Sequence, residues 1–202
     1  MTLSVVVGLG RSGIGAARLL KAQGSEVVVL EKAENVACTR KSADLRQQGI
    51  DVQLGQPLEI SSFEPWIDEI DQVVISPGIA WTHPTLEALR TRGVPVKGEM
   101  ALAWETLKKH PWIGITGTNG KTTVTHLLHH VLNHGGLKAP MAGNVGYSAA
   151  ELALGCLEGS SPLPDWVVME MSSYQIEAAN EVAPRIGIWT TLTPDHLERH
   201  GS

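Results

Sequence analysis

Short apolar runs alternate along this chain with longer stretches whose apolar residues recur every three or four positions. Residues 3–7 read as a strand, broken by Gly8-Leu9-Gly10-Arg11-Ser12-Gly13, after which Ala16, Leu19 and Leu20 mark one face of a helix closed by Gly24. Residues 26–30 predict a second strand with Glu31 at its end, residues 42–48 a helix stopped by Gly49, and residues 51–54 a third strand. A loop or short helix over 56–68 leads to a strand at 72–75 that ends in Ser76-Pro77-Gly78. A helix over 83–91, a short strand at 94–96 and a helix over 100–109 come next.

The pattern then restarts. An apolar strand from Trp112 meets a glycine-rich loop and an apolar helix carrying Val124, Leu127, Leu128, Val131 and Leu132, which ends near Gly135-Gly136. Gly143-Asn144-Val145-Gly146 predicts a turn before a helix over 147–157, and residues 159–164 a surface loop. Strands are expected at 166–169, ending at Glu170, and at 185–189, with no closing helix after them. Alternating strands and helices imply parallel sheets with covering helices, an α/β fold, and a domain boundary is expected near Gly98. A sheet of this kind usually has more strands, so the chain is expected to be the N-terminal piece of a longer protein.

Composition narrows the partners. A hydrophobic share of 43% against 18% charged fits a globular protein with a proper core. The net charge of −5, without a basic block, argues against nucleic acid and anionic membrane surfaces. Cys38 and Cys156 stand far apart, which suits a reducing cytosol and no disulfide framework. No run approaches the roughly 18 apolar residues of a membrane helix. A cytoplasmic protein is expected.

The chemistry centres on Thr116-Gly117-Thr118-Asn119-Gly120-Lys121-Thr122-Thr123. Backbone N–H groups and a helix N-terminus there would face phosphates, Lys121 would reach the β/γ-phosphates, and Thr122 would ligate Mg²⁺. The standard spacing wants glycine where Ile115 stands, and Gly117 is expected to supply the turn instead. The chain is therefore expected to bind a nucleoside triphosphate. Gly8, Gly10 and Gly13, with Glu31 some 20 residues on, match a dinucleotide fingerprint. NAD fits that loop, and so does another diphosphate-bearing ligand, with Ser12 adding a hydroxyl.

Glu170 closes an apolar strand, as the acid that meets Mg²⁺ does in phosphate-loop proteins, and Ser172 and Ser173 follow it. Asp195-His196 follows a later strand and is expected to approach the same pocket, where a neutral His196 imidazole could ligate a metal. His126, His129, His130 and His134 lack a companion carboxylate and read as a solvated helix face.

These residues resemble the Mur ligases. The 116–123 loop is similar to that family's ATP loop, in which the residue at Ile115 is normal. Gly143-Asn144-Val145-Gly146, Glu170-Met171-Ser172-Ser173-Tyr174-Gln175 and Asp195-His196-Leu197 resemble its next three motifs, in order. Gly8–Gly13 and Ser76-Pro77-Gly78-Ile79 resemble its D-glutamate-adding branch rather than the related folylpolyglutamate synthases. The resemblance implies a Rossmann-like domain over residues 1–98 that holds a UDP substrate, and the first part of a phosphate-loop ATPase domain over 99–202.

The resemblance also implies roles. Gly10, Arg11, Ser12, Gly13, Glu31, Lys32, Ser76, Asn144 and Ser172 would contact the UDP substrate. Gly117, Thr118, Asn119, Gly120, Lys121, Thr122 and Thr123 would hold ATP, Thr122 and Glu170 would hold Mg²⁺, and His196 would ligate a second Mg²⁺ that holds the acyl phosphate, with Lys121, Glu170 and His196 catalytic. The substrates implied are ATP, UDP-N-acetylmuramoyl-L-alanine and D-glutamate, joined through an acyl phosphate by a monomer. A metal-assisting carbamylated lysine and a D-glutamate-binding domain would lie beyond Ser202, so this stretch alone is not expected to complete the reaction. Two other readings remain at this point: a nicotinamide-dependent enzyme, which uses Glu31 for NAD, and a non-catalytic nucleotide-binding regulator, which has no use for Glu170 or His196.

Overall fold

The structure, a computed structural model, describes residues 2–201. Its first sheet contains β1 (Leu3–Val7), β2 (Glu26–Glu31), β3 (Asp51–Leu54), β4 (Ile70–Ile75) and β5 (Val96–Gly98), all parallel and ordered β3-β2-β1-β4-β5. The second contains β6 (Trp112–Thr116), β7 (Met141–Gly143), β8 (Val167–Glu170) and β9 (Ile186–Trp189), ordered β7-β8-β6-β9 and also parallel. The α/β expectation holds. The strand at Met141–Gly143 is too short to stand out from the turn that follows it.

The helices are α1 (Arg11–Ala22), α2 (Val36–Gln47), α3 (Pro84–Thr91), α4 (Glu99–Leu107), α5 (Lys121–His134), α6 (Ala149–Leu157), α7 (Ser173–Glu177) and α8 (Leu197–His200). Two short 3-10 turns, Ile60–Ser62 and Glu64–Trp66, fill the stretch expected as loop or short helix. α2 begins six residues before the expected start, because the Asn35 side chain accepts from the Cys38 N–H and caps it. Its few apolar residues hide that start from a periodicity argument. The short closing helix α8 lies where the sequence pattern predicts none, and Ser202 lies outside the described residues.

Strand alternation sorts the core. Val5, Val7, Val28 and Leu30 point to one face of the first sheet with Leu86 and Leu89 of α3, while Val6, Val27 and Val29 point to the other. That second face shares one core with Leu19 and Leu20 of α1, Met100 and Leu102 of α4, Ala149 and Ala153 of α6, and Val167 and Met169 of the second sheet. Three helices are thus packed between the two sheets. Each fully buried leucine there contributes roughly 1.5–3 kcal/mol.

The contact between α1 and α6 is tight: a Cβ built on Gly15 would lie 2.5 Å from Ser148 Oγ. The far face of the second sheet carries Val124, Leu128 and Leu132 of α5. Leu127 and Val131, expected on that apolar face, are more than half exposed. The i, i+4, i+8 stripe alone reaches the sheet, and the i+3 positions turn away from it.

Candidate functional site

The first glycine loop leaves β1 beside β4, where the strand order changes direction. Ligands of open parallel sheets bind at such switch points. Gly8 adopts φ +100°, and a Cβ on Gly13 would lie 1.9 Å from the Gly8 carbonyl oxygen, so both positions demand glycine. Around Gly10, the N-cap of α1, nothing lies within 4 Å of where a Cβ would be. A ligand can approach the backbone closely there.

Ser76 Oγ, at the end of β4, is buried without a partner and faces this loop. Glu31 braces the loop: its Oε2 accepts from Leu9 N–H at 2.6 Å and its Oε1 from Ala33 N–H at 2.8 Å. Both carboxylate oxygens of the fingerprint acid therefore already serve the backbone. Lys32 is exposed, and Ser12 is half-buried. The Lys41 ammonium, not singled out from sequence, donates to Leu9 O at 3.2 Å.

The second loop joins β6 to α5. Ile115 is fully buried in the strand, paired with Glu170 and Ile188, so the residue that departs from the standard motif is a core residue. Gly117 takes φ +130°, and a Cβ there would lie 2.3 Å from Thr190 Oγ1. Gly120 takes φ +84° and caps α5. Lys121 Nζ donates to Gly117 O at 2.7 Å and Thr118 O at 3.0 Å. Thr122 and Thr123, in the first turn of α5, are exposed.

The stretch after β9 clamps this loop. Thr118 N–H donates to Thr191 O at 2.9 Å, Asn119 N–H to Thr191 Oγ1 at 2.8 Å, and Thr190 Oγ1 to Asn119 O at 2.6 Å. Thr118 Oγ1 donates to Thr193 O at 3.0 Å. Sequence reasoning missed these threonines. The available signal was three hydroxyls just past an apolar strand.

A cleft of about 730 Å³ opens beside the loop, lined among others by Gly117, Thr118, Lys121, Ser172, Asp195 and His196. The structure thus brings Lys121 and His196 onto one cleft. His196 has φ +50°, rests against Tyr174 with ring centroids 4.9 Å apart, and lies 3.5 Å from Glu198 Oε1. The Ser172 side chain caps α7 in a reciprocal capping box with Gln175. Of the helical histidines, His126, His130 and His134 are exposed, while His129 Nδ1 lies 2.7 Å from Ala139 O. Among the described residues no group of three metal-ligating side chains is preassembled.

Glu170 is not on the lining of that cleft. It is 1% exposed at the end of β8; its Oε1 accepts from Asn144 Nδ2 at 2.8 Å, and its Oε2 is buried without a partner. An orphaned buried carboxylate oxygen is costly, and a cation is the partner its charge fits best. The Asn144 amide is thus turned to Glu170, and Arg11 donates to the carbonyls of the same 143–146 turn. Glu99, the first residue of α4, is also 1% exposed; its Oε1 accepts from Ala150 N–H at 2.5 Å. Burial pushes its carboxyl up to about 7, against the lowering pull of Ala150, Ser148 and Arg11.

Two family models match this chain, one over each sheet. The Mur ligase MurD-like N-terminal domain matches residues 2–98, and the Mur ligase middle domain matches residues 115–202. This chain belongs to the Mur ligase family. Among curated Mur ligases it is 65% identical, over all its 202 residues, to the UDP-N-acetylmuramoylalanine–D-glutamate ligase of Prochlorococcus marinus (strain MIT 9313). It is 64% identical, again over its whole length, to the ligase of the same name from Synechococcus sp. (strain CC9902).

The chain spans 44% of the length of each of these relatives. Solved Mur ligases share the fold. The UDP-N-acetylmuramate–alanine ligase of Thermotoga maritima superposes with a TM-score of 0.57 at 24% identity, over all of this chain and 44% of its own. The UDP-N-acetylmuramate:L-alanyl-gamma-D-glutamyl-meso-diaminopimelate ligase of Neisseria meningitides gives 0.59 at 21% identity, over 98% and 63%. Among the described residues no helix is long and apolar enough to cross a membrane.

Proposed function

We propose that this chain supplies the substrate-nucleotide and ATP sites of an ATP-dependent amide ligase that joins D-glutamate to UDP-N-acetylmuramoyl-L-alanine in peptidoglycan precursor synthesis. Residues 1–98 form the UDP-substrate domain and 99–202 the start of the ATP domain. One observation carries the reading: a ligand-accessible glycine loop at the first sheet's switch point is tied, through Arg11, to the second sheet, where the strand that enters the 116–123 loop pairs through Ile115 with a buried, half-satisfied Glu170. Both Glu31 oxygens accept from backbone N–H groups and so brace the loop on which a diphosphate would sit.

The chemistry follows from a simple obstacle. A carboxylate cannot expel oxide, so its oxygen must first become a good leaving group. The L-alanyl carboxylate attacks the γ-phosphorus of ATP, ADP leaves, and an acyl phosphate forms. The amine of D-glutamate then adds to the acyl carbon, loses a proton, and expels phosphate to leave the amide.

Two anions must meet in the first step, which calls for fixed positive charge. Gly117, Gly120, Thr122 and Thr123 present backbone N–H groups and the α5 N-terminus to the phosphates, Thr118 and Asn119, whose N–H groups Thr191 holds, shape the ATP loop, and Lys121 sets its ammonium at the γ-phosphate. Thr122 and Glu170 would hold one Mg²⁺ and His196 a second, and ions bound there would neutralise phosphate charge. Gly10, Arg11, Ser12, Gly13, Lys32 and Ser76 line the UDP site, with Asn144 and Ser172 nearer the reacting end.

The test is phosphate release by a protein extended to the length of its relatives. Release is expected only when ATP, UDP-N-acetylmuramoyl-L-alanine and D-glutamate are all present. Release indifferent to the UDP sugar or to the amino acid would contradict the assignment.

A further inference from the structure

Arg11 opens α1 directly after the first glycine loop, yet its guanidinium lies across a turn of the other sheet. Its Nη1 donates to Gly146 O at 2.7 Å, and its Nη2 to Gly143 O and Asn144 O, each at 3.3 Å. The same turn carries Asn144, whose Nδ2 donates to Glu170 Oε1 at 2.8 Å and whose backbone N–H donates to Glu170 O at 3.0 Å. Gly143 pairs with Glu170 in the sheet, and a Cβ on it would lie 2.2 Å from Glu170 O. The turn is pressed onto the strand end with no slack. A continuous set of hydrogen bonds thus runs from the first glycine loop to the buried carboxylate whose other oxygen has no partner.

The strengths along this set are unequal. Arg11 spends its donors on neutral carbonyls, whereas a diphosphate would add its own negative charge and accept bidentate bonds from the guanidinium. A diphosphate on the loop that Arg11 borders therefore competes well for the guanidinium. The Asn144 amide in turn competes with any cation for Glu170 Oε1.

We propose that Arg11 and Asn144 are positioning residues that couple the two sites. A diphosphate on the first glycine loop draws Arg11 off the 143–146 turn, the Asn144 amide releases Glu170, and the carboxylate binds a divalent cation more tightly. The UDP substrate would thereby prepare the ATP site for its metal. This rests on the reading of the two sites under Proposed function.

The experiment is a spin-resonance titration of the 202-residue chain with Mn²⁺, with and without saturating UDP, corrected for Mn²⁺ held by free UDP. Calorimetry sets the saturating UDP concentration for each variant. UDP is expected to lower the Mn²⁺ Kd at least about fivefold, the lower end of ordinary coupling between sites. In R11A and, independently, in N144A, the Mn²⁺ Kd is expected to be the same with and without UDP.

The outcomes separate cleanly. If the native chain fails to bind UDP or fails to bind Mn²⁺, the site assignments fall and the coupling falls with them. If both bind but UDP leaves the Mn²⁺ Kd unchanged or weakens it, the coupling alone is overturned. The coupling is likewise overturned if R11A and N144A, shown folded by circular dichroism, keep the native response.

Discussion

Replacing Lys121 by alanine in the complete ligase is expected to lower kcat by about 10²–10³-fold, the scale of removing one donor to a developing oxyanion. The ammonium sits at the N-terminal turn of α5, held on Gly117 O and Thr118 O within the loop that would receive the phosphates. Without it, carboxylate and γ-phosphate approach each other with their repulsion less screened. The side chain is partly exposed and packs into no core cluster, so the fold is expected to survive, and thermal melts of K121A beside native protein check that. Steady-state kinetics decide the rest. A K121A turnover within about threefold of native would remove Lys121 from the chemistry, since a lost charge contact at a transferring phosphate costs far more.

Glu99→Gln is expected to stabilise the protein, and more so as pH rises. The carboxyl is raised from its ordinary 4.5 to about 7 because burial disfavours its charged form, and its Oε2 has no partner. Below pH 4.5 it is protonated in folded and unfolded chains alike and costs nothing. Above 4.5 the unfolded chain gains by ionising while the folded chain does not, so stability is lost as pH rises until the folded group also ionises near 7.

At about 1.4 kcal/mol per pH unit, the penalty reaches about 3 kcal/mol by about pH 8 and stays under about 1 kcal/mol at about pH 5. Glutamine keeps an acceptor for Ala150 N–H, and its amide can donate to Ser148 Oγ. Urea unfolding of E99Q and native protein at the two pH values reads the difference directly. Equal gains at both would show that Glu99 is not held neutral by its surroundings. The residue sits where α4 meets the N-terminus of α6, so the gain would also locate strain at the junction of the two sheets.

What could be read from the sequence was whatever local sterics dictate. Gly8, Gly13, Gly117 and Gly120 announce their loops because each either takes a backbone angle or makes a contact that a Cβ forbids. β1, β2, β6 and β8 announce themselves as apolar runs because the sheets bury them, whereas the three-residue β7 does not. The early start of α2 was hidden because its signal is a capping side chain, Asn35, rather than a hydrophobic period.

The site was legible as a set of residue types and illegible as a network. Glu170 and Asn144 lie 26 residues apart and meet only because β7 and β8 are neighbours in the sheet. Arg11 reaches the 143–146 turn only because α1 packs on α6 across the gap between sheets. Glu31 shows the same limit in reverse. Its spacing from the glycines points to a ribose-binding acid, yet its oxygens are taken up by Leu9 and Ala33 N–H groups, a fact set by how closely the loop folds back on β2.

The most direct test is calorimetric titration of the 202-residue chain with UDP-N-acetylmuramoyl-L-alanine and, separately, with NAD. A first glycine loop that serves a UDP sugar predicts saturable heat from the former and none from the latter. Heat from NAD with the UDP sugar silent would contradict it and return the loop to a nicotinamide dinucleotide.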